Sequence, residues 1–235
     1  MNTTTSSTST QPGGTPRARS VLVYQIPVRI WHWTNALAIL VLACTGYFIG
    51  QPLPSMPGEA SDYFVMGYIR FVHFAAAYVF AIGMLARIYW AFVGNAHAHE
   101  LFVLPIFTGS FWTGMAAKAA SYLFIRAPQT DYVGHNPLAR AGMFVFTFLL
   151  AVFMIFSGFA LYSEGAGVGS WQDLLFGWMI PLFGGSLTLH SVHRMGMWLM
   201  VMFVIMHIYL VVHEDITGRQ SIISTMISGL RTFKD

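Results

Sequence analysis

Val192–His213 reads VHRMGMWLMVMFVIMHIYLVVH: one arginine, three histidines and otherwise an almost unbroken apolar run, without a Lys, Asp or Glu. As a helix rising about 1.5 Å per residue it is about 33 Å long, the thickness of a bilayer's hydrocarbon core. Three more stretches have the same character, Ile30–Gly50 (IWHWTNALAILVLACTGYFIG), residues 68–93 and residues 138–162. Backbone polar groups in lipid must bond within their own segment, so runs of this kind are helices. The expected fold is an all-α integral membrane protein, a four-transmembrane-helix bundle with spans near 30–50, 68–93, 138–162 and 192–213.

Composition agrees. Of 235 residues 56% are hydrophobic and 9% charged, with a mean hydropathy of +0.61; soluble domains carry about 25% charge. This chain cannot coat a soluble domain with polar surface. Its formal charge of +3 forms no basic stripe, so no nucleic-acid partner is expected and membrane lipid is. Cys44 is the single cysteine, which excludes an internal disulfide, a covalent C-x-x-C-H site and a four-thiolate cluster.

Outside the spans, residues 1–20 are Ser/Thr/Gly/Pro-rich and read as a disordered tail, leaving 21–235 as the membrane domain. Phe111–Ile125, with Lys118, and Trp171–Phe183, with Pro181, are too short or too broken to span and read as short interfacial helices in the loops. Arg17, Arg19 and Arg29 precede the first span. Lys118 and Arg126 lie between the second and third, with Arg140 at the far edge of that loop, and Arg219, Arg231 and Lys234 follow the fourth. The loops at 51–67 and 163–191 hold only acidic charges, Glu59, Asp62, Glu164 and Asp173. Lysine and arginine collect on the cytoplasmic side, so both termini are expected there.

The chemistry lies in the histidines. Ionisable groups at membrane depth are costly and mark function. His32 begins span one and His207 ends span four, both near the inner face; His73 begins span two and His193 begins span four, both near the outer face. His193 and His207 are 14 residues apart, about 21 Å of helix, and about 40° apart around its axis. Two depth-matched pairs suit two stacked bis-imidazole haems, with His73 and His193 on the outer iron and His32 and His207 on the inner. The plainer reading of any one such histidine is a hydrogen bond between helices; four at matching depths on three helices favour ligation. His190 competes with His193 on a similar face, but His193 sits deeper. Arg29, Arg70, Arg87 and Arg194 lie in or beside spans and suit haem propionates, with snorkelling as the plain alternative for the edge positions. Gly46, Gly158 and Gly196 permit close approach of a porphyrin or a neighbouring helix.

On these residues the sequence resembles the cytochrome b subunit of membrane-bound, uptake-type nickel–iron hydrogenases. The resemblance is carried by Arg29-Ile-Trp-His32-Trp33 leading to Thr45-Gly46, and by His190-Ser-Val-His193-Arg194-Met-Gly-Met-Trp198 followed by Phe203 and His207. GYIRFVH (67–73), RIYWAFVGN (87–95), GHNP (134–137) and GFALYSE (158–164) add to it, so that it covers roughly residues 22–235. One departure is Val192, where the family usually has an aromatic.

The resemblance implies a di-haem b-type cytochrome of the bacterial inner membrane. It would anchor the large and small subunits of a periplasmic hydrogenase, the small subunit in direct contact, and pass electrons from hydrogen oxidation through two haems b to quinone. The acidic loops and Trp171–Phe183 are then docking surfaces. His135 and Asn136 are candidates for the quinone site, although Asn136-Pro137 also reads as a plain helix cap. Such a subunit has a quinone-reducing site but no hydrogenase activity alone. The same architecture serves formate dehydrogenase-type complexes, the nearest rival function, and a haem-free anchor is the other. A transporter, a di-iron oxidase and a zinc protease lack their signatures: inverted repeats, carboxylates inside the spans and an H-E-x-x-H pair.

Overall fold

The computed structural model describes residues 19–54, 59, 63–99, 102–126, 136–218 and 222–233. In chain order these form β1 (Arg19–Leu22), α1 (Ile26–Gly50), α2 (Val65–Val93), α3 (Ala96–His99), α4 (Gly109–Tyr122), α5 (Pro137–Met143), a π-helical turn (Phe144–Leu149), α6 (Leu150–Ala166), α7 (Trp171–Phe176), α8 (Met179–Leu182), α9 (Ser186–Gly218), α10 (Ile222–Ser228) and β2 (Leu230–Phe233).

Among the described residues four helices are long and apolar enough to cross a membrane: α1, α2, the continuous Pro137–Ala166 helix and Ser186–Thr217 of α9. Each expected span lies inside one of them, and every helix extends a few residues beyond the apolar run because its ends enter the polar interface. Leu40, Ile82, Leu85, Leu149 and Ile205 are all exposed along these helices, as lipid-facing residues are. Where the helices meet, Ala38, Phe80, Met84, Ala151 and Met200 form the central cluster, small alanines beside larger side chains. Ala160, Met179 and Leu189 form a second one under α8.

The two ends of the described residues lie together. β1 pairs antiparallel with β2, Arg19 opposite Phe233 and Leu22 opposite Leu230. Gly229 makes the turn from α10 into β2 at φ +84°, and a Cβ there would run into the Tyr24 carbonyl, so glycine is required on both counts. Gln25 Oε1 accepts from Trp90 Nε1 and from the Asn95 amide, both at 3.1 Å, and Asn95 Nδ2 donates to the Val23 carbonyl. The N-terminal segment is thereby fastened to the end of α2 on what we call the terminal side of the bundle; the α1–α2 and α6–α9 connections lie on the distal side.

Both interfacial expectations meet helices, α4 in the first case and α7 with α8 in the second. Ser170 caps α7 by accepting from the Asp173 amide, and Asp173 Oδ2 accepts in return from the Gly169 amide. α4 departs from a simple surface helix. Its Lys118 is 1% exposed and pairs at 2.5 Å with Glu214 of α9. Tyr122, which hydrogen-bonds Glu214 and Asn136, is held well above the usual phenol pKa by burial and by that carboxylate, and so remains a donor.

Candidate functional site

α1 and α9 bring the terminal-side histidines together. The His32 and His207 rings have centres 6.3 Å apart and planes inclined at 50°. Two imidazole nitrogens each about 2 Å from one ion would set their ring centres about 6 Å apart, close to the spacing of this pair, so His32 and His207 would suit two ligands of one metal. Phe203, one turn before His207, stacks on its ring at 5.8 Å and on Phe146 of the π turn at 5.0 Å. That turn was not foreseen; π turns favour functional sites, and this one carries Phe146 to the ring stack. The buried Nδ1 of His32 has no hydrogen-bond partner.

α2 and α9 hold the distal pair. His73 Nδ1 lies 2.8 Å from Thr45 Oγ1 of α1, and His193 Nδ1 lies 2.7 Å from Ser157 Oγ of α6. A Cβ on Gly46 would stand 3.3 Å from His73 Cε1 and 3.4 Å from the sulfur of Met197, one turn beyond His193. A Cβ on Gly158 would stand 3.4 Å from His193 Cε1. Gly46 and Gly158 thus flank the rings themselves, while Gly196 faces Met154 and serves helix packing. His190 is exposed, its Nδ1 against the Ser186 carbonyl at 3.0 Å, and belongs to the rim of the bundle.

The arginines divide. Arg87 is buried at 4% exposure, its guanidinium 5.5 Å from the Trp31 ring centre and 5.1 Å from that of Phe102. One nitrogen donates to the Ala98 carbonyl at 2.9 Å, but Nε and Nη1 are buried without a partner. Fourteen residues separate Arg87 from His73 on α2, as they separate His207 from His193 on α9, so Arg87 lies about 21 Å from the distal level, at the depth of the other pair. Two orphaned N–H groups on a buried cation fit an anion such as a propionate. Arg29 donates to the Ile227 carbonyl and keeps a buried, unpartnered Nε. Arg194 lies against Gly50 and donates to its carbonyl at 3.3 Å, and Arg70 is exposed.

Asn136 is the cap of α5: its Oδ1 accepts from the Ala139 amide at 2.8 Å, and its Nδ2 faces Tyr122 Oη at 3.4 Å. His135 lies outside the described residues. Asn35, one turn after His32, is 5% exposed with neither amide atom hydrogen-bonded, and it was not among the residues expected from the sequence. Nor was the Lys118–Glu214 pair, and Thr45 entered only within a motif. The signal available for Asn35 and Ser157 was the same as for the histidines, a polar side chain inside an apolar span.

A four-span bundle with two depth-matched pairs of interior histidines defines a class, the multi-pass membrane cytochromes of b type. The chain matches the family described as prokaryotic cytochrome b561 over residues 23–229, and it belongs to that family. It is 57% identical to a protein of Cupriavidus necator named "Probable Ni/Fe-hydrogenase B-type cytochrome subunit", over 97% of this chain and 95% of the relative. A protein of the same name from Azotobacter vinelandii is also 57% identical, over 92% and 90%. The "Probable Ni/Fe-hydrogenase 1 B-type cytochrome subunit" of Escherichia coli K12 is 48% identical, over 90% and 91%. The resemblance drawn from the motifs is therefore borne out.

Proposed function

We propose that the chain is the di-haem membrane subunit of a periplasmic nickel–iron hydrogenase, passing electrons from hydrogen oxidation to membrane quinone. The observation that carries this reading is the 6.3 Å approach of His32 and His207, at a depth about 21 Å from the His73 and His193 pair. His32 and His207 would hold one haem b, and His73 and His193 the other. Bound haem supplies one-electron exchange between ferric and ferrous iron. The chain's own part is to fix each ligand pair on two rigid helices, to set charge beside the iron and to keep the interior dry.

Arg87, with two unmet N–H groups, and Arg29 are the propionate partners for the pair near the termini. Arg70 and Arg194 are those for the distal pair. Lysine and arginine flank the terminal side in sequence, which puts the termini in the cytoplasm and the distal side towards the periplasm in a bacterial inner membrane. The hydrogenase small subunit then docks on the distal side, where Leu174 and Leu175 of α7, Trp178 just before α8 and Leu182 of α8 are exposed beside the acidic loops. Quinone is reduced on the terminal side, where the Asn136 amide nitrogen would be the donor to a quinone carbonyl and His135 its neighbour in sequence. The relatives' names favour hydrogenase over formate dehydrogenase as the source of electrons.

The test uses the intact hydrogenase–cytochrome complex in membranes. Under hydrogen the His207→Ala variant should still reduce one b-type component but lose quinone reduction at least tenfold, while His73→Ala should leave neither component reducible by hydrogen. A His207→Ala complex that reduces quinone at the wild-type rate overturns the proposal.

A further inference from the structure

We propose that Thr45 and Ser157 are positioning residues for the distal haem: each hydroxyl accepts the Nδ1–H of one histidine, so that both rings offer their Nε2 lone pairs to one iron. The proposal rests on the haem reading above and deepens it.

A hydroxyl has one proton to donate and lone pairs with which to accept. Thr45 Oγ1 commits its proton within α1, donating to the Val41 carbonyl at 2.6 Å, with the Leu42 carbonyl farther off at 3.4 Å. Ser157 Oγ does the same within α6, with the Phe153 carbonyl at 2.7 Å and that of Met154 at 3.3 Å. Towards His73 and His193 each oxygen is left only as an acceptor, so the 2.8 and 2.7 Å contacts put the proton on Nδ1 of each ring; the Leu42 carbonyl is a second acceptor beside the His73 ring. A neutral imidazole protonated on Nδ1 carries its lone pair on Nε2, the ligand form.

The device occurs twice, independently. α1 presents Thr45-Gly46 to His73 of α2, and α6 presents Ser157-Gly158 to His193 of α9; in each case the hydroxyl takes the ring nitrogen and the following glycine lies against the ring edge, closely at Gly46 and at ordinary contact distance at Gly158. A hydroxyl that merely bonds back to its own helix does not need the ring. On the terminal side His32 is held otherwise, since its buried Nδ1 has no partner. An acceptor on Nδ1–H makes the imidazole a more basic ligand and favours ferric iron. Thr45 and Ser157 therefore lower the reduction potential of the distal haem relative to what its bare ligand set would give.

The test is an optical and EPR redox titration of the purified hydrogenase–cytochrome complex carrying Thr45→Val, Ser157→Ala or Thr45→Ser. Each of the first two should move one haem component to higher potential and alter its low-spin g values, with the second component unchanged, whereas Thr45→Ser should titrate as wild type. Loss of the distal haem from Thr45→Val supports the proposal if Thr45→Ser retains it. Wild-type potentials in both Thr45→Val and Ser157→Ala, or a Thr45→Ser variant as perturbed as Thr45→Val, overturn it while leaving the haem reading standing. A complex that keeps every haem component when it carries His73→Ala as its only substitution overturns the haem reading itself.

Discussion

His190 and His193 are three residues apart on one helix, yet one is exposed against its own backbone and the other faces Ser157 across the bundle. That difference was legible in the sequence only as depth along the span. It has a direct consequence: His193→Ala should remove one b-type component from the reduced-minus-oxidised spectrum, and His190→Ala should leave both. Arg87 was legible as a charge inside a span, but not that Trp31 and Phe102 would enclose it and leave two N–H groups unmet. A cation near a haem favours the reduced, more negative state, so Arg87→Gln should lower one midpoint potential. The shift should be roughly 40–90 mV for a charge about 8–16 Å from iron at an effective dielectric of about 20. An unchanged potential by redox titration would remove Arg87 from the site. Thr45, Ser157 and Asn35 escaped the sequence reading because single hydroxyls and amides are common in membrane helices, and only their neighbours distinguish them.

At the scale of elements the four spans were legible because a bilayer imposes a length on any apolar helix that crosses it. The β1–β2 ribbon was not: its strands are four residues each, Arg19–Leu22 and Leu230–Phe233, too short for a period-two pattern to show, and they come from opposite ends of the chain. The place of α4 was half legible. Its apolar character predicted the interface, but a lone lysine in such a helix reads as snorkelling, and its partner Glu214 lies some 96 residues away on α9. The pair clamps α4 to the end of α9. Lys118→Met leaves Glu214 without its cation and should destabilise the protein by about 3 kcal/mol. Lys118→Met with Glu214→Leu should recover most of that loss, because a buried pair is often matched by apolar residues of similar size. Thermal denaturation in detergent checks both, and a double variant no more stable than the single would show that the pair is not the cause.

For the whole molecule, the four spans among the described residues bring β1 and β2 to one side of the bundle, where they pair. Which side that is rests on the arginines and lysines flanking the spans. Hydrogen oxidation outside and quinone reduction inside would carry negative charge inward, worth about 2.3 kcal/mol per electron per 100 mV. Proteoliposomes holding the complex should therefore become negative on the terminal side when hydrogen is supplied. Quinone reduction with no potential would place electron entry and quinone on the same face. The pairing of four histidines on two haems can be read from a pyridine haemochrome assay with a dithionite-reduced minus oxidised spectrum. About two haems b per chain are expected, with His73→Ala and His207→Ala each removing a different one. A haem-replete preparation with no haem on the chain, or one in which both variants remove the same haem, would contradict that pairing.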